Sequence, residues 1–211
     1  MLHVVLDAGS GCNVKFHRSP IWSDMTQLFE WKFTRQLTDL IYRKLAKEKI
    51  VIHKLVKDKY YLTTFEKLRR IENLVNKYGA DNCLIISIQM NYGKGSGWSI
   101  YVNQAKNPIG VLYANIYDKI YDKKYTSMKM MKLKNNGVID RDLTLLKRVK
   151  CAAMVTNNFF INRKHECKRL MTLEGIRAVR DYHVEAIKKC IDYHKENKQE
   201  IINILNKSNN E

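Results

Sequence analysis

Apolar positions fall in blocks whose spacing alternates between strand and helix. Val4–Ala8 is an apolar run closed by Gly9-Ser10-Gly11-Cys12, which reads as a strand followed by a flexible break. From Leu28 to Lys47 the positions Leu28, Trp31, Leu37, Leu40, Ile41 and Leu45 recur at helical spacing. Ile50–Leu55 predicts a second strand. Thr64–Tyr78 predicts an amphipathic helix with Phe65, Leu68, Ile71 and Val75 on one stripe and Gly79 as its stop. Asn82–Ile88 has strand length and is apolar throughout its centre, so it predicts a strand buried on both faces. Ser99–Val102 predicts another strand, and Asn107-Pro108 a helix start running to about Tyr121, with Asn as the cap and Pro at the first helical position. Leu143–Leu146 and Ala152–Thr156 predict two further strands, and Leu173–His194 a long helix.

Strands alternating with helices imply a single α/β domain, a mostly parallel twisted sheet flanked by helices on both faces. The domain is expected over residues 1–194, with a charged helical tail over 195–211. Functional groups in such a sheet sit on loops beyond the carboxyl ends of the strands. Three segments therefore stand out: Gly9–Cys12, Gln89–Asn91 and Asn157–Asn158.

The 211 residues carry 38 Lys+Arg against 21 Asp+Glu, a formal charge of +17. That charge points to polyanionic partners or to a Lys-rich solubilising surface. Apolar stretches fall short of the ~20 residues of a membrane span, so none is expected. Met1–Leu6 shows no basic leader or cleavage pattern, so export by a signal peptide is not expected. Five scattered cysteines without a C-x-x-C pair fit a reducing compartment better than a disulfide scaffold. His3 and His53 fall on strands, His165 on a loop, and His183 and His194 on the last long helix; each is read as structural or exposed. Gly93–Gly97 reads as a flexible loop, because it opens onto a strand rather than a helix.

Leu6-Asp7-Ala8-Gly9-Ser10-Gly11, Glu30-Trp31-Lys32, Ser87-Ile88-Gln89-Met90-Asn91 and Val155-Thr156-Asn157-Asn158-Phe159-Phe160 occur in an order that resembles the motifs of zinc-dependent N-acetylmuramoyl-L-alanine amidases. Gly97–Val102 and Glu174–Ile187 extend the likeness to about Val4–Tyr193, and the compact single-domain type of Bacteroidetes and phages is the nearest in pattern. The resemblance implies a domain that cleaves the amide between muramic acid and the first alanine of the peptidoglycan stem. It also marks departures. The first zinc histidine corresponds to Ser10, the metal-binding glutamate to Glu30, the second zinc histidine to Gln89, and the catalytic glutamate to Asn157. A catalytic zinc takes three His, thiolate or carboxylate ligands plus water. Without it the attacking water keeps a pKa near ~15 rather than ~7, and an amide at the base position forfeits a further ~10²–10⁴-fold.

The resulting expectation is a catalytically dead member with no cofactor, a pseudoenzyme retained for assembly, in a phage virion or the cytoplasm of an infected bacterium. Alternatives are a peptidoglycan-binding pseudoenzyme and an active amidase with a relocated metal site, for which Cys12, His17 and Glu30 are the candidates. Partners are expected to be proteins with acidic surfaces, without specific nucleic-acid recognition. The acid-free, Met-studded segment Lys123–Asn136 is the candidate contact element, through Lys123, Lys124, Met128, Lys129, Met130, Met131, Lys132 and Lys134. Its deletion is expected to leave the fold intact and to abolish co-purification with the partner.

Overall fold

The computed structural model describes residues 1–124 and 133–209. Six strands form one sheet: β1 (His3–Ala8), β2 (Ile52–Lys54), β3 (Cys83–Asn91), β4 (Trp98–Val102), β5 (Asn135–Asp140) and β6 (Ala152–Phe160). Their spatial order is β2-β1-β3-β6-β4-β5. The first four are mutually parallel, whereas β4 runs antiparallel to β6 and parallel to β5. The helices are α1 (Glu30–Lys47), α2 (Thr64–Tyr78), α3 (Pro108–Lys124), α4 (Thr144–Arg148), α5 (Lys164–Leu170), α6 (Leu173–Glu196) and α7 (Lys198–Asn209).

The sheet is covered on both faces, as the alternation of elements predicts. Leu84, Ile86 and Ile88 of β3 meet α1, α3 and α6 on one side, while Ile85 meets α2 and α4 on the other. A strand buried on both faces needs no polar alternation, which is why its sequence reads as one apolar run. α2 opens with a capping box in which Thr63 and Glu66 each accept from the other's backbone N–H, and it ends at Gly79 with φ +89°. Asn107 caps α3 and also ties it to β6. Its Oδ1 accepts from Gly110 (2.9 Å) and Ala153 (3.2 Å) N–H, and its Nδ2 donates to the Cys151 carbonyl (2.8 Å).

Several expectations are corrected. Leu143–Leu146 is not a strand: Thr144–Arg148 is a helical turn that seats Leu145, Leu146 and Val149 against the α2 side of the sheet. A short apolar run has no periodicity to separate the two possibilities. Phe65 is not in the buried stripe of α2 but 73% exposed. The inward face runs through Lys67, Ile71 and Leu74, and Phe65 lies about 120° from Ile71 around the helix axis. His165 lies in α5, not in a loop. β5 was not foreseen because Asn135-Asn136-Gly137 has no strand pattern. It is fixed by side chains instead, with Asn136 Nδ2 donating to the Ser96 (2.8 Å) and Trp98 (2.9 Å) carbonyls.

That pairing also overturns the expectation that all of Lys123–Asn136 can be removed without harm. Lys123 and Lys124 close α3, Leu133 is buried, Lys134 is exposed but its carbonyl accepts from Trp98 N–H (2.8 Å), and Asn135 begins β5. Met128, Lys129, Met130, Met131 and Lys132 lie outside the described residues.

The Asn107 junction gives a direct test. Asn107→Ala loses a cap and leaves buried backbone groups unpaired, so chemical denaturation should show a loss of about 2–4 kcal/mol; Asn107→Asp should recover the cap but not the bond to Cys151.

Candidate functional site

The loop between β1 and α1 runs from Gly9 to Phe29 without regular secondary structure, and polar bonds hold it. Arg35 of α1 donates to the carbonyls of Ser10, Asp58 (2.8 Å) and Tyr60 (3.1 Å). Cys12 N–H donates to the Lys59 carbonyl (2.9 Å), and Tyr61 N–H donates to Asn13 Oδ1 (2.8 Å). At Gly11 a Cβ would lie 2.0 Å from Tyr61 N, so only glycine lets the two loops approach. Further along, Ser19 and Leu28 pair through Ser19 N–H to the Leu28 carbonyl (2.8 Å) and Leu28 N–H to Ser19 Oγ (2.9 Å).

So held, the loop forms one wall of a cleft of about 720 Å3 at the carboxyl ends of β1 and β3. Glu30, Gln89, Met90 and Ile161 line its depth. Lys15, Phe16, Arg18 and Tyr92 form its exposed rim, with Phe16 86% and Tyr92 72% exposed. Glu30 is buried at the first turn of α1. Its Oε1 accepts from Met90 N–H (2.9 Å), and its Oε2 lies 2.9 Å from His17 Nδ1. The same Nδ1 lies 3.0 Å from Ser10 Oγ. A carboxylate only accepts, so Nδ1 carries the proton and shares it between Glu30 and Ser10. Hydrogen bonding to Glu30 raises the His17 pKa above its ordinary value, against the opposing effect of partial burial. A nitrogen that already holds its proton toward Ser10 cannot take the proton of that hydroxyl. The trio is therefore an imidazole N–H shared between a carboxylate and a hydroxyl, not a nucleophile with its base.

A second polar group lies under the α2 side of β1 and β3. Asp7 is fully buried; Lys67 Nζ sits 2.9 and 3.0 Å from its two carboxylate oxygens and donates to the Gly9 carbonyl (3.1 Å). Ser87 Oγ donates to Asp7 Oδ2 (2.6 Å), and Gln89 Nε2 donates to Ser87 Oγ (3.1 Å). Gln89 is thus hydrogen-bonded toward Asp7 and Lys67, while Ser10 and Glu30 gather on His17.

Asn157 pairs with Gln89 in the sheet register and is buried, with no hydrogen-bond partner for its Nδ2 among the described residues. Its neighbour Asn158 donates to the Gln89 (3.2 Å) and Thr156 (3.2 Å) carbonyls and accepts from His183 Nε2 (3.1 Å). Burial pushes His183 down to about 3, so it is a neutral donor inside the core. His194 is likewise buried, 2.9 Å from the Tyr113 hydroxyl. The Gly93–Gly97 loop, expected to be flexible, is pinned. Asn162 exchanges two bonds with Gly93 (3.1 and 2.8 Å), Arg163 donates to the Gly95 carbonyl (2.7 Å), and Glu166 accepts from Gly97 (2.8 Å) and Phe160 (2.6 Å) N–H.

Of the residues singled out by sequence, Ser10, Glu30 and Gln89 meet at one end of the sheet, with Asn157 beside Gln89. Glu30 does not bond Ser10 or Gln89 directly; its partners are His17 and the Met90 backbone. Cys12 is exposed, and no group of three or more His, Cys, Asp or Glu among the described residues could hold a metal ion. Sequence reasoning missed Lys67. The available signal was its phase: Lys67 precedes Ile71 by four and Leu74 by seven, on the inward face of α2.

The family profile described as N-acetylmuramoyl-L-alanine amidase matches residues 4–189. The chain is similar in structure to the catalytic domain of CwlV, an N-acetylmuramoyl-L-alanine amidase from Bacillus (Paenibacillus) polymyxa var. colistinus. The TM-score is 0.72 at 16% identity, covering 91% of this chain and 99% of that one. An N-acetylmuramoyl-L-alanine amidase from Clostridium difficile 630 gives a TM-score of 0.72 at 17% identity, covering 90% and 97%. The CwlD amidase from Clostridioides difficile, in complex with the GerS lipoprotein, gives 0.65 at 16%, covering 91% and 99%. Identities this low establish the shared fold. No curated protein matches the chain. No helix among the described residues is long and apolar enough to cross a membrane.

Two measurements probe the networks. By NMR, His17 should titrate above 6.5 and fall to or below it in Glu30→Gln. The raised value means the His17–Glu30 contribution to stability is complete below the unfolded-state pKa and is lost as pH rises through the folded-state one. Urea midpoints at about pH 6 and pH 8.5 should therefore differ more in the parent than in Glu30→Gln. Lys67→Ala strands a buried carboxylate and should cost about 3–5 kcal/mol, whereas the double variant Asp7→Leu/Lys67→Met should recover most of that loss; an equally unstable double variant would refute the pairing as the cause.

Proposed function

The chain belongs to the N-acetylmuramoyl-L-alanine amidase family, and we propose that it is a non-hydrolytic member that uses the cleft to bind peptidoglycan. The donor set carries this reading. At the positions that the resemblance assigns to zinc and to the base stand a hydroxyl, two amides and one carboxylate, and that carboxylate already accepts from His17 and Met90. Neutral oxygen donors are poor zinc ligands, so these residues do not fit a catalytic zinc. Asn157 has no group that accepts a proton near neutral pH.

What supports a binding role is the shape that accompanies this donor set. The cleft is open, with Lys15 and Arg18 available to carboxylates of a peptide and Phe16 and Tyr92 to its apolar groups. Among the described residues Glu30 is the one acidic residue lining it, and His17 faces that carboxylate. A purely structural role in a virion rests on analogy, on surface charge and on the segment Lys123–Asn136, most of which lies outside the described residues, whereas the cleft is a described feature that supports ligand binding.

Metal content and sacculus binding, measured on one sample, test the proposal. Protein purified without chelator or tag should hold less than about a tenth of an equivalent of zinc. It should sediment with insoluble sacculi, release no stem peptide, and lose retention in Lys15→Ala/Arg18→Ala/Tyr92→Ala. A full equivalent of zinc together with stem-peptide release would overturn the proposal.

A further inference from the structure

The edge of the sheet carries another cavity, of about 530 Å3, that shares no lining residue with the cleft. β2 is the edge strand. Lys54 at its end, Lys57 in the loop that follows, and Arg70, Asn73 and Lys77 of α2 converge on this cavity together with His53. Positions 70, 73 and 77 stand at i, i+3 and i+7, so α2 presents all three on one face. Among the described residues, no Asp or Glu lines the cavity.

Two of the four cations have acidic neighbours. Lys54 Nζ lies 2.9 Å from Asp39, and the Arg70 guanidinium lies 3.6 Å from Asp58 while donating to the Leu55 carbonyl (2.8 Å). Lys57 and Lys77 are exposed and have no acidic partner among the described residues; Lys77 Nζ lies 5.1 Å from the centroid of the Tyr78 ring. Setting Asp39 and Asp58 against the four cations leaves two positive charges unmatched in one concavity. Low-dielectric walls focus such a field on whatever enters. The neighbouring imidazole registers it: His53 is held below the usual histidine range first by burial and then by the charge of Lys77.

We propose that this cavity binds a phosphomonoester, a group of about two negative charges. Arg70 keeps N–H donors beyond the one it gives to the Leu55 carbonyl, Lys57 and Lys77 add mobile point charges, and the Asn73 amide on the same wall supplies a neutral donor. The excess of charge is met by one such group, so the site recognises a compact terminal phosphate rather than a long polyanion. It is independent of the cleft and of the fate of its chemistry.

Methyl phosphate, a phosphomonoester, is the probe, titrated at constant ionic strength and followed by calorimetry and by the His53 imidazole resonances. The expected result is saturable one-site binding that shifts the His53 signals. Lys57→Ala/Lys77→Ala, both at exposed positions, should weaken binding at least about tenfold, while Lys15→Ala/Arg18→Ala at the cleft leaves it unchanged. A single-stranded oligothymidylate without a terminal phosphate, added at equal phosphate, should not displace methyl phosphate. Three results would overturn the proposal: no saturable binding, loss in the cleft variant with retention in the double lysine variant, or displacement by the oligonucleotide.

Discussion

A carboxylate buried at the centre of a parallel sheet cannot stay charged unless a cation and hydrogen-bond donors meet it there. Asp7 is that group, and its partners come from different parts of the chain: Lys67 from α2 and Ser87 from β3. The requirement does more than satisfy one side chain. It fixes how deeply α2 sits on β1 and β3, and through the Gly9 carbonyl it sets where the chain leaves β1. It also draws the Gln89 amide toward Ser87, away from Glu30. The geometry at the carboxyl end of the sheet follows from that buried pair.

Above it, the His17–Glu30 pair plays a corresponding part for the cleft. Glu30 would otherwise be a buried acid with only the Met90 N–H for company, and His17, brought back by the loop after β1, adds a second donor at Nδ1 and shares that proton with Ser10. The two networks divide the residues that the family resemblance groups in one centre. Ser10 and Glu30 belong to the upper one, Gln89 to the lower. Their polar groups are largely paired with one another, with His17 itself half-exposed in the cleft, whereas the rim around them is basic and aromatic. This contrast between a self-satisfied interior and an unsatisfied rim is why binding, rather than hydrolysis, is the reading the site favours.

Charge is distributed unevenly in a way that composition does not disclose. A net +17 could be spread as solvated lysines. Instead, part of it is spent inside, as Lys67 on Asp7, and part converges on a concave edge of the sheet where no acid among the described residues lines the wall. The first serves the fold and the second is free to meet a ligand, although the same residue type is used in both places.

The sequence by itself determined most of the alternation of strands and helices up to α3, the β3 strand buried on both faces, the Gly79 stop of α2 and the Asn107 cap of α3, and the loops at which chemistry would stand. These depend on periodicity and on residues a few positions apart, which a linear reading contains. The family resemblance of its motifs also grouped Ser10, Glu30, Gln89 and Asn157 in one centre. Only the tertiary structure decided who their partners are. His17 stands thirteen positions from Glu30, and Lys67 sixty from Asp7; pairings of that kind depend on the register of packed elements. The same reason explains Leu143–Leu146, whose apolar run became a helix under α2, and β5, whose strand is defined by Asn136 bonds to Ser96 and Trp98. Short segments lack enough local energy to choose a conformation, so the surface they meet chooses for them.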